Sequence, residues 1–185
     1  MTTVERAIQY AVFAHAGTKR KGKDRPYILH PMEAMTIVAG LTDDEEVIAA
    51  AVLHDVVEDT PLGAAELERE FGPRVRALVQ AESEDKMTEI APDASWKLRK
   101  QATIDHLQGL GREEKLICLG DKLSNLREIA RDYRVLGDSI WTRFNQTDKR
   151  QHGWYYGSIC EVLEAEFSAI PAIREYRQLL EEVFC

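Results

Sequence analysis

The tightest constraint on this chain is an apolar run, Val47-Ile48-Ala49-Ala50-Ala51-Val52-Leu53, that passes without a break into His54-Asp55-Val56-Val57-Glu58-Asp59. A helix that is apolar on all sides belongs in the middle of a fold, because it has no polar face to turn to water. Thr42 and Glu45 have capping-box spacing at its start. Asp59-Thr60-Pro61 ends it, since the residue before a proline is pushed out of the helical region. The pattern predicts a buried central helix that closes on a cluster of ionisable side chains. Burying such groups costs free energy unless they are paired or hold a metal.

The rest of the chain is helical by the same reading. Thr2 and Glu5 make another capping box, and Val4, Ala7, Ile8, Ala11, Val12 and His15 recur at helical spacing up to Gly17. A short helix is expected from about Met32 to Gly40, and another up to Phe71-Gly72. Pro73 suits the first position of a helix carrying Val75, Leu78 and Val79. The polar stretch from Glu82 to Ser95 reads as a surface loop. Further helices are expected from Trp96 to Leu107 and from Glu113 to about Ala130, the second with Leu116, Leu119, Leu123, Leu126 and Ile129 inward. Gly137 to about Lys149 reads as irregular, followed by two helices with Pro171 between them. Period-two alternation and hairpin turn pairs are missing from the sequence. The expected fold is all-α, a single helical domain over residues 1–185, a length that allows one substantial core.

Charge and composition narrow the function. A net charge of −8 repels polyanions over most of the surface, which argues against nucleic acid as a partner. No apolar run approaches the roughly eighteen residues of a membrane span, and MTTVERAIQY lacks a signal-peptide layout. No membrane partner and a cytoplasmic location are therefore expected. Cys118, Cys160 and Cys185 have neither zinc-knuckle nor disulfide-framework spacing and read as reduced thiols. An anionic ligand would have to be met locally, and Lys19-Arg20-Lys21-Gly22-Lys23-Asp24-Arg25 sets five cations in seven residues for that purpose. A solvated loop with surplus lysines is the alternative for Lys19 and Lys23.

On one continuous helix His54 and Glu58 would share a face, as would Asp55 and Asp59. An ordinary charged helix end is the alternative for that segment when it stands alone. Two distant residues add to it: His30, in a His-Pro step, and Asp121, in Gly120-Asp121-Lys122-Leu123-Ser124-Asn125, where it interrupts an apolar face. Two imidazoles and two carboxylates make a divalent-metal site without sulfur, suited to Mn²⁺ or Fe²⁺ as well as Zn²⁺. The alternatives are a helix-start histidine bonded to backbone, and an Asp121 paired with Lys122 or Arg127 in a solvated salt bridge. Trp141, Phe144, Trp154, Tyr155 and Tyr156 form an aromatic group that reads as packing rather than a base-stacking platform.

The segments AHAGTKRKGKDRPYILHP, AAAVLHDVVEDTP, FGPRVRALV, SEDK and KLICLGDKLSNLREI, in that order, resemble the HD-domain phosphohydrolases. More narrowly they resemble the hydrolase domain of the RelA/SpoT alarmone enzymes and the stand-alone small alarmone hydrolases, over roughly Ala14 to Arg131. The resemblance implies an HD-domain helical bundle and one bound Mn²⁺, with Fe²⁺, Co²⁺ and Zn²⁺ as alternatives. The implied activity is hydrolysis of the 3′-pyrophosphate of guanosine, or adenosine, tetra- and pentaphosphate. It implies His30, His54, Asp55 and Asp121 as metal ligands and Glu58 and Asp59 as the catalytic acids. It implies Arg20 or Lys21, Lys86 and Asn125 as substrate contacts. Two positions depart from the family: Glu84-Asp85 stand where a threonine is usual, and Gly120 replaces an alanine. No synthetase, TGS or ACT segment follows in this sequence, so a dedicated hydrolase is expected. Competing expectations are a 5′-nucleotidase, an NADPH 2′-phosphatase and a non-catalytic alarmone-binding module. Oligomeric state is left open.

Overall fold

A computed structural model describes residues 1–83 and 92–185. Its helices are α1 (Thr3–Ala14), α2 (Leu29–Ala39), α3 (Glu45–Leu53), α4 (Val56–Asp59), α5 (Ala64–Phe71) and α6 (Pro73–Glu82). They continue with α7 (Pro92–Gly109), α8 (Arg112–Leu136), a 3₁₀ segment (Gly137–Arg143), α9 (Lys149–Phe167) and α10 (Pro171–Phe184). The fold is all-α. Among the described residues the extended pairing is one isolated bridge, Lys19 with Pro26, and no helix is long and apolar enough to cross a membrane.

Many local signals act where the sequence puts them, but α2 starts at Leu29 rather than about Met32, and other places also need correction. Thr2 caps α1 in a complete capping box with Glu5, and Pro73 opens α6. The cap of α3, however, is Asp44, whose carboxylate accepts from the Glu46 and Val47 amides; Thr42 instead accepts from the Asp44 amide. The central helix also divides. The backbone at Asp55 (φ −92°, ψ −6°) sits at the edge of the right-handed helical region, and α3 stops at Leu53 and α4 restarts at Val56. His54 and Asp55 therefore stand at a bend, not in the adjacent helical rows that a continuous helix implied. Residues 92–95 belong to α7 rather than to a loop, and α8 runs six residues past its expected end at Ala130.

The chain divides into two compact units, Met1–Ser83 with Gly111–Ser124, and Glu84–Leu110 with Asn125–Cys185. In the first, α3 is the centre, packed by α1, α2 and α6. Ala49, Ala50 and Ala51 are fully buried and small, which lets neighbouring helices approach closely, while Val52 and Leu53 fill the space between them. Side chains of that size contribute about 1.5–3 kcal/mol each when fully buried. Gly120 is part of the same economy of space. A Cβ at that position would lie 2.8 Å from the Ala34 carbonyl oxygen and 2.7 Å from Val38 Cγ2. The glycine that replaces the usual alanine thus permits α8 to lie directly against α2.

The second unit has its own core, and the aromatic group belongs to it. Trp141 stacks on His152 at 5.0 Å and on Phe184 at 5.5 Å, and Trp96 meets Tyr155 edge-on at 6.2 Å. Arg127 makes a two-pronged ion pair with Glu175 at 2.6 and 2.7 Å. These aromatics are packing residues, as expected.

Candidate metal centre

The first unit draws His30, His54, Asp55 and Asp121 together from three places. His30 sits in the first turn of α2, His54 and Asp55 at the bend between α3 and α4, and Asp121 on the buried side of α8. His30 Nε2 is 3.1 Å from Asp121 Oδ1 and 3.6 Å from Asp55 Oδ2. His54 Nε2 is 3.0 Å from Asp55 Oδ2 and 3.7 Å from Asp121 Oδ1. The two imidazoles meet edge to face, with centroids 5.2 Å apart. One ligand atom each from His30, His54 and Asp121 lie within 4.8 Å of one another, all on buried residues. Asp55, the most exposed of the four, lies against both imidazoles.

This donor set suits a divalent cation. His54 Nδ1 lies 2.8 Å from the Ala51 carbonyl, which can only accept, so Nδ1 carries the proton and Nε2 turns its lone pair inward. Nε2 is buried without an aligned hydrogen bond although two carboxylates are near it. An inward imidazole lone pair beside carboxylate oxygens is repulsive unless a proton or a metal lies between them. Burial opposes the charged form of His54, but Asp55 and Asp121 hold its pKa well above the ordinary histidine value. Burial likewise works to raise the two carboxylates, yet His54 holds Asp55 below the usual carboxylate range and Lys122 does the same for Asp121.

Asp121 also pairs through Oδ2 with Lys122, whose side chain is 16% exposed. The pairing anticipated as a solvated salt bridge is thus internal, and it coexists with the histidine contacts. Arg127 is turned to Glu175 instead.

Glu58 and Asp59 lie on α4, just past the bend, the first half-buried and the second exposed. Tyr27 connects Asp59 to the cluster, and nothing in the sequence reading marked it. Its hydroxyl is 2.6 Å from Asp55 Oδ2 and 3.1 Å from Asp59 Oδ2, and burial followed by the Asp55 charge raises its pKa. It stays a donor between the two carboxylates. The only sequence hint was its place beside His30 between two prolines.

The basic loop is folded back on itself. Arg20 N donates to Arg25 O at 2.9 Å and Tyr27 N to Thr18 O at 2.9 Å, and Gly22 takes the positive φ (71°) that the tip requires. Lys19 pairs with Asp24, while the Arg20 guanidinium lies over the Tyr27 ring, 5.4 Å from its centroid. Arg20 is thereby brought to the tyrosine that bonds Asp55 and Asp59; Lys21 is exposed. Of the remaining expected contacts, Asn125 is half-buried on α8 and falls in the second unit. Lys86, with Glu84 and Asp85, lies outside the described residues.

Glu82 was expected to begin a surface loop but is the last residue of α6, half-buried. Burial pushes its carboxyl up to about 7; Lys122 opposes the shift and Asp121 adds to it. In the folded state this group keeps a proton that the unfolded chain has released once pH exceeds the ordinary value of 4.5. Folding stability therefore falls as pH rises from about 4.5 to about 7. Glu82→Gln should remove that loss. The full shift corresponds to roughly 3 kcal/mol, which partial exposure reduces to about 1–2 kcal/mol. Urea unfolding of the metal-free protein should show the variant gaining this much on the wild type between about pH 5 and pH 8; a constant difference across that range would contradict the assignment.

With this geometry in place, similarity to known proteins is informative. Residues 7–146 match the HD domain, and that span holds all four cluster residues. The chain belongs to the HD-domain family. Among HD-domain relatives, a Drosophila melanogaster protein named guanosine-3′,5′-bis(diphosphate) 3′-pyrophosphohydrolase MESH1 is 39% identical over 139 residues, 74% of this chain and 72% of that protein. The Homo sapiens protein of the same name is 38% identical over 129 residues, 68% of each chain. A solved structure reported for a metazoan SpoT ortholog that hydrolyses ppGpp superposes with a TM-score of 0.79 at 27% identity, covering 98% of this chain and 96% of that one. The HD-domain helical bundle expected from the motifs is the fold observed.

Proposed function

We propose that this HD-domain chain hydrolyses the 3′-pyrophosphate of guanosine tetra- or pentaphosphate, releasing pyrophosphate and leaving GDP or GTP. Adenosine counterparts are substrates of the same chemistry. The observation that carries this reading is the buried His30–His54–Asp121 group with Asp55 against both imidazoles and two further acids, Glu58 and Asp59, on the adjoining helix. The hydrolase names of relatives at 38–39% identity support it.

In this reading His30, His54, Asp55 and Asp121 would hold one divalent ion; nitrogen and hard-oxygen donors without sulfur admit Mn²⁺, the ion the family resemblance implies, together with Fe²⁺ and Zn²⁺. Such an ion supplies Lewis acidity toward phosphoryl oxygens and makes a nearby water more acidic. Glu58, half-buried on α4, orients the attacking water and accepts its proton. Asp59, held by the Tyr27 hydroxyl at 3.1 Å, manages the proton needed at the departing oxygen. Arg20 and Lys21 place positive charge where a polyphosphate must enter a protein of net charge −8. The family resemblance adds Lys86 as a substrate contact and Asn125 as the contact to the ribose.

The test is a manganese-supplemented turnover assay on ppGpp, ppApp, NADPH and nucleoside monophosphates. Pyrophosphate and GDP from ppGpp are expected. Orthophosphate from NADPH or a monophosphate, with ppGpp left intact, would overturn the proposal in favour of a phosphatase. Tight ppGpp binding without turnover would turn it into a sensor.

A further inference from the structure

We propose that Glu33 and Ser124 form a hydrogen-bond relay that fixes the tautomer of His30 and so presents its Nε2 as a ligand atom. Both are positioning residues for the metal centre, and this inference rests on the metal-site reading above. Ser124 Oγ lies 3.0 Å from Glu33 Oε2, to which it donates, and 2.9 Å from His30 Nδ1. A serine hydroxyl has a single proton. Once that proton is given to Glu33, Oγ can only accept from His30, so Nδ1 must carry the hydrogen. The Nε2 lone pair is then left facing Asp121 and Asp55 at 3.1 and 3.6 Å.

His54 reaches the same state by a different route, through the Ala51 carbonyl at 2.8 Å. A backbone carbonyl cannot reverse its role, whereas a serine hydroxyl can donate as readily as it accepts. Without a fixed acceptor on its far side, Ser124 would be free to donate to Nδ1 and drive the proton to Nε2, where it blocks a cation. Glu33 is what removes that freedom. The relay crosses from α2 to α8 and returns: Glu33 and His30 are three residues apart on α2, and Ser124 is three residues beyond Asp121 on α8. The 1% exposure of Ser124 leaves water little chance to substitute for either partner. Groups behind a ligating histidine change metal affinity by about 10–100-fold when removed.

Two readouts test the relay. In metal-free protein labelled with ¹⁵N at histidine and held at alkaline pH, long-range ¹H–¹⁵N correlation should place the His30 proton on Nδ1. Glu33→Leu should move a large share of it to Nε2, while Glu33→Gln, which keeps an acceptor oxygen, should retain the wild-type pattern. A merely structural role for Glu33 would not move a proton between ring nitrogens. In manganese titrations followed by electron paramagnetic resonance, Ser124→Ala and Glu33→Leu should bind roughly 10–100-fold more weakly than wild type, with Glu33→Gln close to wild type. Unchanged thermal unfolding would separate this loss from misfolding. A wild-type His30 protonated on Nε2, or Glu33→Leu with wild-type tautomer and affinity, overturns the relay. A wild type with the expected tautomer and no manganese binding overturns the metal reading instead.

Discussion

Asp121→Ala is expected to bind manganese far more weakly than the wild type and to lose nearly all turnover while remaining folded. Asp121 Oδ1 is 3.1 Å from His30 Nε2 and 3.7 Å from His54 Nε2, so its removal takes away a hard-oxygen donor and leaves two imidazoles with the more open Asp55. The several kcal/mol of charge stabilisation that a metal supplies in phosphoryl transfer would go with it, a drop of about a thousandfold or more in rate. The fold should survive, because the core of the first unit is built from Ala7, Ala11, Val38, the Val47–Leu53 helix, Leu67, Val75, Val79 and their neighbours, without Asp121. Removing the carboxylate also leaves Lys122 without that partner in a mostly buried position, so a lower melting temperature is expected alongside native helicity. Metal content by atomic emission, circular dichroism and pyrophosphate release together decide the matter. Full activity in this variant would remove Asp121 from the ligand set.

The second large effect is expected at Glu58. Glu58→Gln keeps the shape of the side chain and one acceptor oxygen but cannot accept a proton from water. General-base contributions are commonly 10²–10⁴-fold, so kcat should fall by about that range with ppGpp affinity and metal content little changed. The split matters, because it separates Glu58 from the metal-binding group, whose loss would alter metal content. Equal turnover in wild type and variant, each binding ppGpp, would mean that Glu58 is not the base and would move that role to Asp59. Asp59 is the more exposed acid, held through Tyr27, whose single proton is shared between Asp55 and Asp59 at 2.6 and 3.1 Å.

The site and the fold were legible in the sequence to different depths. His54-Asp55 could be picked out because two ionisable residues directly follow seven apolar ones, an arrangement whose cost demands a partner. His30 and Asp121 could be named only through motif order, since each by itself also suits a helix start or a salt bridge. The bend at Asp55 was not legible. Helical periodicity carries smoothly through Val56 to Asp59, and the departure is a backbone torsion that no side-chain pattern encodes. The same limit hid the cap at Asp44, two residues from a threonine with equally good capping chemistry.

By itself, then, the sequence determined that the chain is helical, where its apolar faces lie, and which ionisable residues have no place in a core unless they do chemistry. These are properties of local periodicity and of transfer free energy, which each segment carries alone. Tertiary structure decided what no segment contains. It brought Tyr27 to Asp55 and Asp59, set Arg20 over that tyrosine, made the Asp121–Lys122 pair internal, and placed Glu33 and Ser124 behind His30. The physical reason is that each of these contacts joins groups from separate elements or from the two arms of a folded-back loop, or depends on burial that packing alone confers. Their strength also comes from the low dielectric that packing creates. The Gly120 contact with Ala34, where α8 meets α2 closely enough for Asp121 to face His30, shows how a single missing methyl group enters that arrangement.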